Sequence, residues 1–259
     1  MLTLISPAKT LDYESPLATG RSSKPSFLDD SSVLIDNLRP LSSKQLSKLM
    51  GISDKLADLN RSRYESWETP FTKQNARQAL LAFKGDVYQG LEAESFSDDD
   101  FLYSQQHLRI LSGLYGVLRP LDLMMPYRLE MGTRLKTDRG NNLYDFWGES
   151  ISRDLNKQLG KIKSSTIVNL ASNEYFKSVD LDTLDADVVA PVFLDEKNGT
   201  PKVISFYAKK ARGVMTSWIM KSRIERTSDL KKFKRDGYRY SASLSEKDKP
   251  AFVRKEKRQ

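Results

Sequence analysis

The chain has 259 residues, of which 39% are hydrophobic and 29% charged, a composition typical of a globular protein. It contains no cysteine and a single histidine, His107. Disulfides, thiolate nucleophiles and cysteine-ligated iron–sulfur clusters are therefore excluded, and we expect no metal or other cofactor. No apolar run approaches the ~18 residues that a membrane span requires, and the N-terminus lacks the basic start of a secretory signal. We therefore expect a cytoplasmic protein without a membrane partner.

The net charge of +8 is distributed unevenly along the chain. Residues 1–206 carry 25 Lys and Arg against 28 Asp and Glu, whereas residues 207–259 carry 17 against 6. A basic segment on a mildly acidic body predicts a polyanionic partner, with nucleic acid favoured over an anionic membrane surface. A solubilising tail is the alternative interpretation.

In the first hundred residues, hydrophobic periodicity predicts one strand and several helices. The strand lies within residues 1–8 and ends at Ser6-Pro7. The predicted helices occupy residues 31–38, 42–50, a segment capped by Ser53, and roughly 72–83. The run from Asp98 to Asp100 suits either a metal cluster or an acidic first turn. The acidic turn is favoured, because carboxylates stabilise the positive end of a helix dipole.

The stretch from His107 to Gly132 is the most distinctive part of the sequence. Its apolar spacing predicts a helix that ends in the connection Gly113-Leu114-Tyr115-Gly116 and is followed by a second helix or turn. Arg109, Arg119 and Arg128 surround this connection. Exposed backbone N–H groups beside a helix N-terminus bind anions, so the connection is a candidate phosphate site. A purely structural αα-hairpin is the alternative.

In the second half of the chain we predict a helix that starts near Leu143, then strands at 166–171, 188–194 and 203–207. The Asn198-Gly199 pair predicts a hairpin between the last two strands. A helix follows from Tyr207, with Lys209, Lys210 and Arg212 on its outer face. These elements predict one mixed α/β domain over residues 1–226. Residues 227–259 form a basic tail that we expect to be partly disordered.

Two polar segments follow predicted strands, where α/β proteins collect their ligands. Ser6 to Lys9 spells the S-x-x-K nucleophile motif, but the pattern recurs at Ser228 and its partner motifs are absent, so we expect Lys9 to contribute charge rather than to activate a nucleophile. Asn173 to Lys177 follows the strand 166–171, and Glu174 is a candidate acid–base group.

Five blocks of this sequence together resemble the bacterial YaaA family of peroxide-stress-resistance proteins. They are ISPAKTLDY (5–13), FKGDVYQGL (83–91), LSGLYGVLRPLDLMMPYRLEMG (111–132), NLASNEYFKSV (169–179) and VFLDEKNG…ISFYAKKARG (192–213). The resemblance implies a cytosolic protein of unusual mixed α/β fold that limits damage from hydrogen peroxide by lowering unincorporated iron. It also implies duplex DNA binding through a helix-hairpin-helix-like element beside a positively charged cleft. Within that resemblance, the segment 113–116 is the best match for the hairpin.

Two classes of function remain open. The first is a non-enzymatic protein that binds the DNA phosphate backbone with little sequence preference. Its candidate phosphate-binding residues are Lys9, Gly113, Leu114, Tyr115, Gly116, Arg119, Arg128, Lys177, Lys209, Lys210 and Arg212. The second is an enzyme acting on a nucleobase, nucleotide or phosphorylated small molecule in a cleft formed by Lys9, Arg128 and Glu174. No catalytic residue is assigned, and protein partners are not predicted; an adaptor with a recruiting tail is a third interpretation.

Overall fold

A computed structural model describes residues 1–255 of the chain. Its strands are β1 Leu2–Ile5, β2 Thr10–Leu11, β3 Arg77–Gln78, β4 Phe83–Lys84, β5 Leu108–Ser112, β6 Gly116–Leu118, β7 Leu123–Met124, β8 Thr166–Asn169, β9 Asp187–Val189, β10 Val192–Lys197, β11 Thr200–Lys202, β12 Tyr238–Glu246 and β13 Lys249–Arg254. Its α-helices are α1 Leu28–Leu38, α2 Ser43–Met50, α3 Asp54–Ser66, α4 Ala79–Ala82, α5 Asp86–Leu91, α6 Asp98–His107, α7 Leu143–Trp147, α8 Ser150–Lys161, α9 Asn173–Phe176 and α10 Ser205–Ser222. The predicted mixed α/β fold is confirmed.

A five-stranded sheet in the order β6-β5-β1-β8-β9 forms the centre of the molecule. The central strand, β1, pairs in parallel with β5 on one side and with β8 on the other. All four β1 residues are buried, as expected for a parallel strand covered on both faces. The connection from β1 leads to β5, whereas the next parallel strand, β8, lies on the opposite side of β1.

The segment after His107 differs from the sequence prediction. Helix α6 ends at His107, and residues 108–118 form an antiparallel β-hairpin, with Leu111 paired to Val117 and Ser112 paired to Gly116. A short, mostly apolar run fits a buried strand as well as a buried helix, and pairing with β1 selects the strand here. The acidic run before it does form the first turn of α6, with Ser97 and Asp100 in a reciprocal capping box. The predicted helix over 72–83 is also reduced, to the four residues of α4.

The basic C-terminal segment is folded rather than partly disordered over residues 227–254. It contains a 3₁₀ helix, Thr227–Lys232, followed by β12 and β13. These strands complete a second sheet in the order β11-β10-β13-β12, in which β13 pairs in parallel with β10. Phe233, Tyr238 and Phe252 are fully buried around Phe193 of β10. These few aromatic residues pack into a local core, which the highly charged composition of the segment did not indicate. Residues 256–259 of the predicted tail lie outside the described part of the chain.

Helix α10 packs against the central body and carries Lys209 and Arg212, two of the three cations predicted on its outer face. It packs on α5 at very close range, because a Cβ atom added to Gly213 would lie 1.8 Å from the carbonyl oxygen of Val87. This crossing fixes Lys209 and Arg212 beside the turn that precedes α5. Within residues 1–255, no helix is both long and apolar enough to span a bilayer.

Candidate functional site

The loops that follow β1 and β8 meet at the carboxyl edge of the central sheet. The Oγ atom of Ser6 accepts a hydrogen bond from the backbone N–H of Ser172 at 2.8 Å, and the two hydroxyl oxygens lie 3.3 Å apart. The chain leaves β1 toward one side of the sheet and returns through β8 on the other. Ligands of α/β proteins bind at such a reversal of strand order.

A cleft of about 350 Å³ opens at this edge, and we call it the sheet-end cleft. Its lining comprises Ser6, Pro7, Ala8, Lys9, Thr10, Lys84, Gly85, Asp86, Val87, Tyr88, Glu130, Ser172, Glu174, Tyr175, Lys209 and Arg212. The Tyr88 hydroxyl donates to the carbonyl oxygen of Ser6 at 3.0 Å, which joins α5 to the loop after β1. Burial raises the pKa of Tyr88 well above its usual value, so this hydroxyl remains a hydrogen-bond donor.

Lys9 and Arg128 meet on one carboxylate in the wall of this cleft. Lys9 Nζ lies 3.0 Å from Glu130 Oε2, and Arg128 Nη2 lies 2.9 Å from Glu130 Oε1. Lys9 is therefore engaged with Glu130, and Ser6 with Ser172, which is not the arrangement of a lysine-activated serine. The sequence predicted Lys9 and Arg128 but gave no sign of Glu130 between them.

Glu174 ties the loop after β8 to the segment that follows Glu130. Its Oε1 atom accepts the backbone N–H of Gly132 at 3.0 Å, while its own carbonyl oxygen accepts the hydroxyl of Tyr144 at 2.9 Å. The side chain of Glu174 is exposed and lines the cleft. Its predicted position beside Lys9 is therefore found, while an acid–base role remains a prediction.

The surroundings of Arg212 differ from those of the other cations that line the cleft. It is partly buried in the wall of the cleft, and this desolvation lowers the pKa of its guanidinium group. Within residues 1–255 its side chain has neither a hydrogen-bond partner nor an ion pair. Its neighbour Lys209 is exposed and likewise has no carboxylate within ion-pair distance in this part of the chain. A guanidinium without a partner at a partly desolvated position is suited to an external anion.

A larger depression adjoins the sheet-end cleft, and a third depression adjoins the larger one. The larger, of about 800 Å³, shares Glu130 and Glu174 with it and runs along α2 and the segment 132–136. The other, of about 560 Å³, shares Gly132 and Arg134 with the larger one and extends to Lys177. We call the three depressions together the basic groove.

The charges that line the basic groove are predominantly positive. Eight cationic residues line it, namely Lys9, Lys48, Lys84, Arg134, Lys136, Lys177, Lys209 and Arg212. Three acidic residues line it, namely Asp86, Glu130 and Glu174. A concave surface with this excess of cations attracts polyanions, because its walls concentrate the field.

Half of these cations were missed by the sequence analysis: Lys48, Lys84, Arg134 and Lys136. Arg134 and Lys136 alternate in the extended segment that follows Gly132, and residues two apart in an extended chain point to the same side. That alternation is the sequence signal from which Arg134 and Lys136 could have been predicted. Lys48 lies on the exposed face of a helix, which sequence alone does not distinguish from any other solvated face.

A helical hairpin lies at the margin of the groove. Helices α2 and α3 are joined by Gly51, Ile52 and Ser53, and Gly51 has φ of +62° in the left-handed region. The N–H groups of Gly51 and Ile52 both bond to the carbonyl oxygen of Ser47, which ends α2. Lys48 and Met50, at the end of α2, line the larger depression. Ser53 begins α3 without a side-chain cap, so N–H groups of the first turn of α3 remain for another acceptor.

The segment 113–116, predicted as a phosphate site, lies in the core. Gly113, Leu114, Tyr115 and Gly116 are buried, and the indole Nε1 of Trp147 donates to the carbonyl oxygen of Gly113 at 3.0 Å. The predicted approach of this backbone to phosphate is therefore corrected, because side chains cover the turn on all sides. The segment is also not a connection between two helices, since it joins β5 to β6.

Two more predicted phosphate-binding residues lie away from the groove. Arg119 binds the buried carboxylate of Asp122 at 2.8 Å and donates to the carbonyl oxygen of Lys24 at 2.7 Å. Lys210 lines a separate cleft on the other side of α10, with Gly90 and Trp218. The structure thus brings Lys9, Lys177, Lys209 and Arg212 together in the groove, while Arg128 forms an ion pair with Glu130 in its wall.

The single histidine is occupied by neighbouring groups. His107 Nδ1 lies 3.1 Å from the carbonyl oxygen of Met1, and its ring stacks on Tyr103 with a centroid separation of 4.1 Å. Desolvation lowers the pKa of His107, which keeps the imidazole neutral. Across residues 1–255, no three His, Cys, Asp or Glu side chains are grouped as metal ligands.

The fold and the groove define a single-domain mixed α/β protein with a cationic binding surface at the carboxyl edge of a parallel sheet. A sequence model of the family described as peroxide stress protein YaaA matches residues 1–244, so the chain belongs to that family. It is also 57% identical over 256 residues to a UPF0246 protein of Teredinibacter turnerae (strain ATCC 39867 / T7901), an alignment that covers 99% of this chain and 100% of the relative. The match extends beyond residue 226, the domain boundary predicted from the sequence.

Proposed function

We propose that this member of the peroxide stress family is a cytoplasmic protein that binds duplex DNA through the basic groove. The observation that supports this function is the excess of eight cationic over three acidic residues along three adjoining depressions. Lysine and arginine side chains spaced along a groove contact successive phosphates and carry no base information. The binding is therefore expected to have little sequence preference.

The helical hairpin α2–α3 is the proposed second contact. Its glycine turn has space around it, since nothing lies within 4 Å of a Cβ atom added to Gly51. Backbone N–H groups at the start of α3 and the positive end of its dipole provide an anion site for one phosphate. Lys48 extends the same contact into the groove. The hairpin implied by the family resemblance is thereby proposed at residues 50–53 rather than at 113–116.

The lowering of unincorporated iron is proposed to be indirect. The chain has no cysteine, and its one histidine is held by Met1 and Tyr103, so a thiol- or imidazole-ligated iron store does not fit. The protein would instead lower free iron by binding DNA, or by binding another partner through DNA. Protection from peroxide would then require an intact groove.

Salt-dependent DNA binding is the experiment that tests this function. Affinity for a duplex without free ends should fall about a thousandfold between ~50 and ~200 mM salt if about six phosphates are contacted. Lys48→Gln and Arg134→Gln should each weaken binding and reduce the salt slope by about one. The matched control is Lys157→Gln, an exposed lysine on α8 outside the groove lining. A shallow salt dependence, or equal loss in the control, would contradict the proposal.

A second candidate, an enzyme working in the sheet-end cleft, is favoured by the convergence there of Lys9, Glu130 and Glu174. Such an enzyme first needs a small ligand that fits the cleft. Turnover with Glu174 as the acid–base group predicts that Glu174→Gln retains ligand binding and abolishes product formation. Equal turnover by the variant would remove this candidate.

A further inference from the structure

We propose that the sheet-end cleft binds a phosphomonoester that carries hydroxyl groups, such as a nucleoside monophosphate, with its phosphate held by Arg212 and Lys209. The cleft is one of the three depressions of the basic groove, but this site binds a terminal phosphate, whereas duplex binding contacts internal phosphates. It depends on its own observations and can fail or succeed independently of duplex binding.

The position of Arg212 is the first observation. Its guanidinium group is partly withdrawn from water, and its pKa is lowered by that desolvation. Within residues 1–255 no carboxylate, carbonyl or hydroxyl group compensates it. Arginine at such a position forms bidentate hydrogen bonds with phosphate oxygens, and Lys209, one helical turn earlier on α10, adds a second cation.

The remaining charges of the cleft identify what else the ligand carries. Glu130 is compensated by Lys9 and Arg128, whereas Asp86 and Glu174 have no cation within ion-pair distance among the described residues. These two carboxylates would repel a second phosphate. They accept hydrogen bonds from hydroxyl groups, as acidic residues do with the ribose of bound nucleotides. A ligand whose phosphate contacts the two cations and whose hydroxyl groups contact these two carboxylates matches both sets of groups.

The dimensions of the cleft agree with a ligand of this class. A volume of about 350 Å³ falls at the lower end of the range for small-molecule pockets. It is large enough for one nucleotide. The cleft also lies outside the carboxyl ends of β1 and β8, where a reversal of strand order forms a crevice.

The same phosphomonoester chemistry has two possible sources, a free nucleotide and the 5′-phosphate at the end of a DNA strand. The cleft shares Glu130 and Glu174 with the larger depression, so a strand end bound in the groove can reach it. Internal phosphates of a strand are diesters with one negative charge each, so they do not present the terminal phosphate group that this site binds.

Calorimetric titration with AMP and with adenosine tests the site. The whole protein should bind AMP at least about tenfold more tightly than adenosine, since only AMP engages the two cations. Arg212→Gln should weaken AMP binding at least about tenfold, and Lys209→Gln by a smaller factor. Lys210→Gln is the matched control, because Lys210 is on the same helix but lines another cleft. It should leave AMP binding unchanged.

Thermal unfolding without ligand separates a binding role of Arg212 from a structural one. Because its guanidinium has no partner in the free protein, Arg212→Gln should unfold at the same or a higher temperature than wild type. AMP should raise the melting temperature of the wild-type protein and not that of the variant. A marked drop in the melting temperature of Arg212→Gln would overturn the assignment of Arg212.

Two hairpin duplexes, identical except for a 5′-phosphate or a 5′-hydroxyl group, distinguish the sources. Preference for AMP over adenosine supports the site with a free nucleotide as its ligand. If AMP does not bind but the 5′-phosphorylated duplex binds more tightly, and Arg212→Gln removes the difference, the site is supported with a strand end as its ligand. If AMP and adenosine bind alike, or if AMP does not bind and the two duplexes bind alike, the proposal is wrong.

Discussion

The indole ring of Trp147 lies directly over Gly116. A Cβ atom added to Gly116 would be 2.8 Å from Cζ3 of that ring, and the same indole donates its Nε1–H to the carbonyl oxygen of Gly113. Trp147 therefore holds both glycines of the β5–β6 turn from one side. The turn can adopt this position only because neither residue has a side chain.

Gly116→Ala is expected to destabilise the protein. Gly116 has φ of +64°, where alanine costs about 1 kcal/mol, and the contact with Trp147 adds about 1–3 kcal/mol of overpacking. The free energy of unfolding, measured with urea, should fall by about 2–4 kcal/mol.

The control for Gly116 is Gly160→Ala in helix α8. Nothing lies within 4 Å of its added Cβ atom, and alanine is the better helix former, so this variant should be as stable as wild type or slightly more stable. If Gly116→Ala unfolds at the wild-type urea concentration, the packing described for Trp147 is wrong.

Gly51→Ala tests the helical hairpin. The φ of +62° makes alanine cost about 1 kcal/mol, while the open space around the position should leave the fold intact. Duplex affinity should fall several-fold, because the added methyl group stands where a phosphate would approach the turn. Fluorescence anisotropy with an end-capped duplex would measure it.

Gly199→Ala provides the matched comparison for Gly51. Gly199 has φ of +76° and equally open surroundings, but it lies in the β10–β11 turn outside the lining of the basic groove. It should show the same loss of stability with unchanged DNA binding. Equal affinity of both variants for DNA would place the phosphate contact elsewhere.

Arg119→Met should reduce stability rather than DNA binding. Asp122 has no exposed surface, and without Arg119 its carboxylate loses a cationic partner at 2.8 Å. Breaking a buried pair by removing one partner costs about 3 kcal/mol, whereas the exposed pair of Arg153 and Glu149 should cost less than about 1 kcal/mol in Arg153→Met. Weakened DNA binding by Arg119→Met at unchanged stability would restore the phosphate contact that the sequence suggested.

His107 should make the protein less stable in mild acid. Desolvation, the N-terminal amino group and Arg109 lower its pKa, and together they outweigh the hydrogen bond to the carbonyl oxygen of Met1 and the charge of Glu225. Between the ordinary pKa near 6.5 and the lower folded value, the unfolded chain binds a proton that the folded protein does not. The free energy of unfolding therefore falls as pH decreases through this window.

The comparison that isolates His107 is the variant His107→Gln. Urea unfolding at about pH 7.5 and about pH 5.5 should show a smaller acid loss in the variant than in wild type. The N-terminal amino group also has a lowered pKa, but both proteins share it and its contribution cancels. An acid loss that is equal in the two proteins would mean that His107 is as accessible to protons in the folded state as in the unfolded chain.

Capping residues and turn residues in the sequence correctly predicted the elements whose ends they determine. Helix α2 begins after Ser42 and ends at Gly51, as its capping residues indicate, and the Asn198-Gly199 turn joins β10 to β11 as predicted. The strands around that turn are displaced, however, because Pro191 separates β9 from β10 where one strand was expected.

Long-range pairing decided the elements that the sequence did not predict. The run Leu108 to Leu118 is apolar except for Arg109 and Ser112 and has the alternation of neither an amphipathic helix nor an amphipathic strand, so only its ladder with β1 selects the strand. In the candidate site, Lys9, Glu174 and Lys209 were predicted at strand or helix ends, where ligands usually bind. Glu130 and Arg134 come from an irregular segment whose path is fixed only by contacts with Glu174 and other distant residues.

The parallel pairing of β13 with β10 has a consequence for synthesis of the protein on the ribosome. The strands of the central sheet end at Val189, so all of them are synthesised before β12 and β13. Strand β13 occupies an interior position of the second sheet and is translated after both of its neighbours, β10 and β12. Until it arrives, β10 lacks its parallel neighbour and Phe193 lacks the cover of Phe252. Between the synthesis of β10 and that of β13, the nascent chain therefore exposes a hydrophobic strand edge beside a central sheet whose strands are all present, and this interval is prone to aggregation.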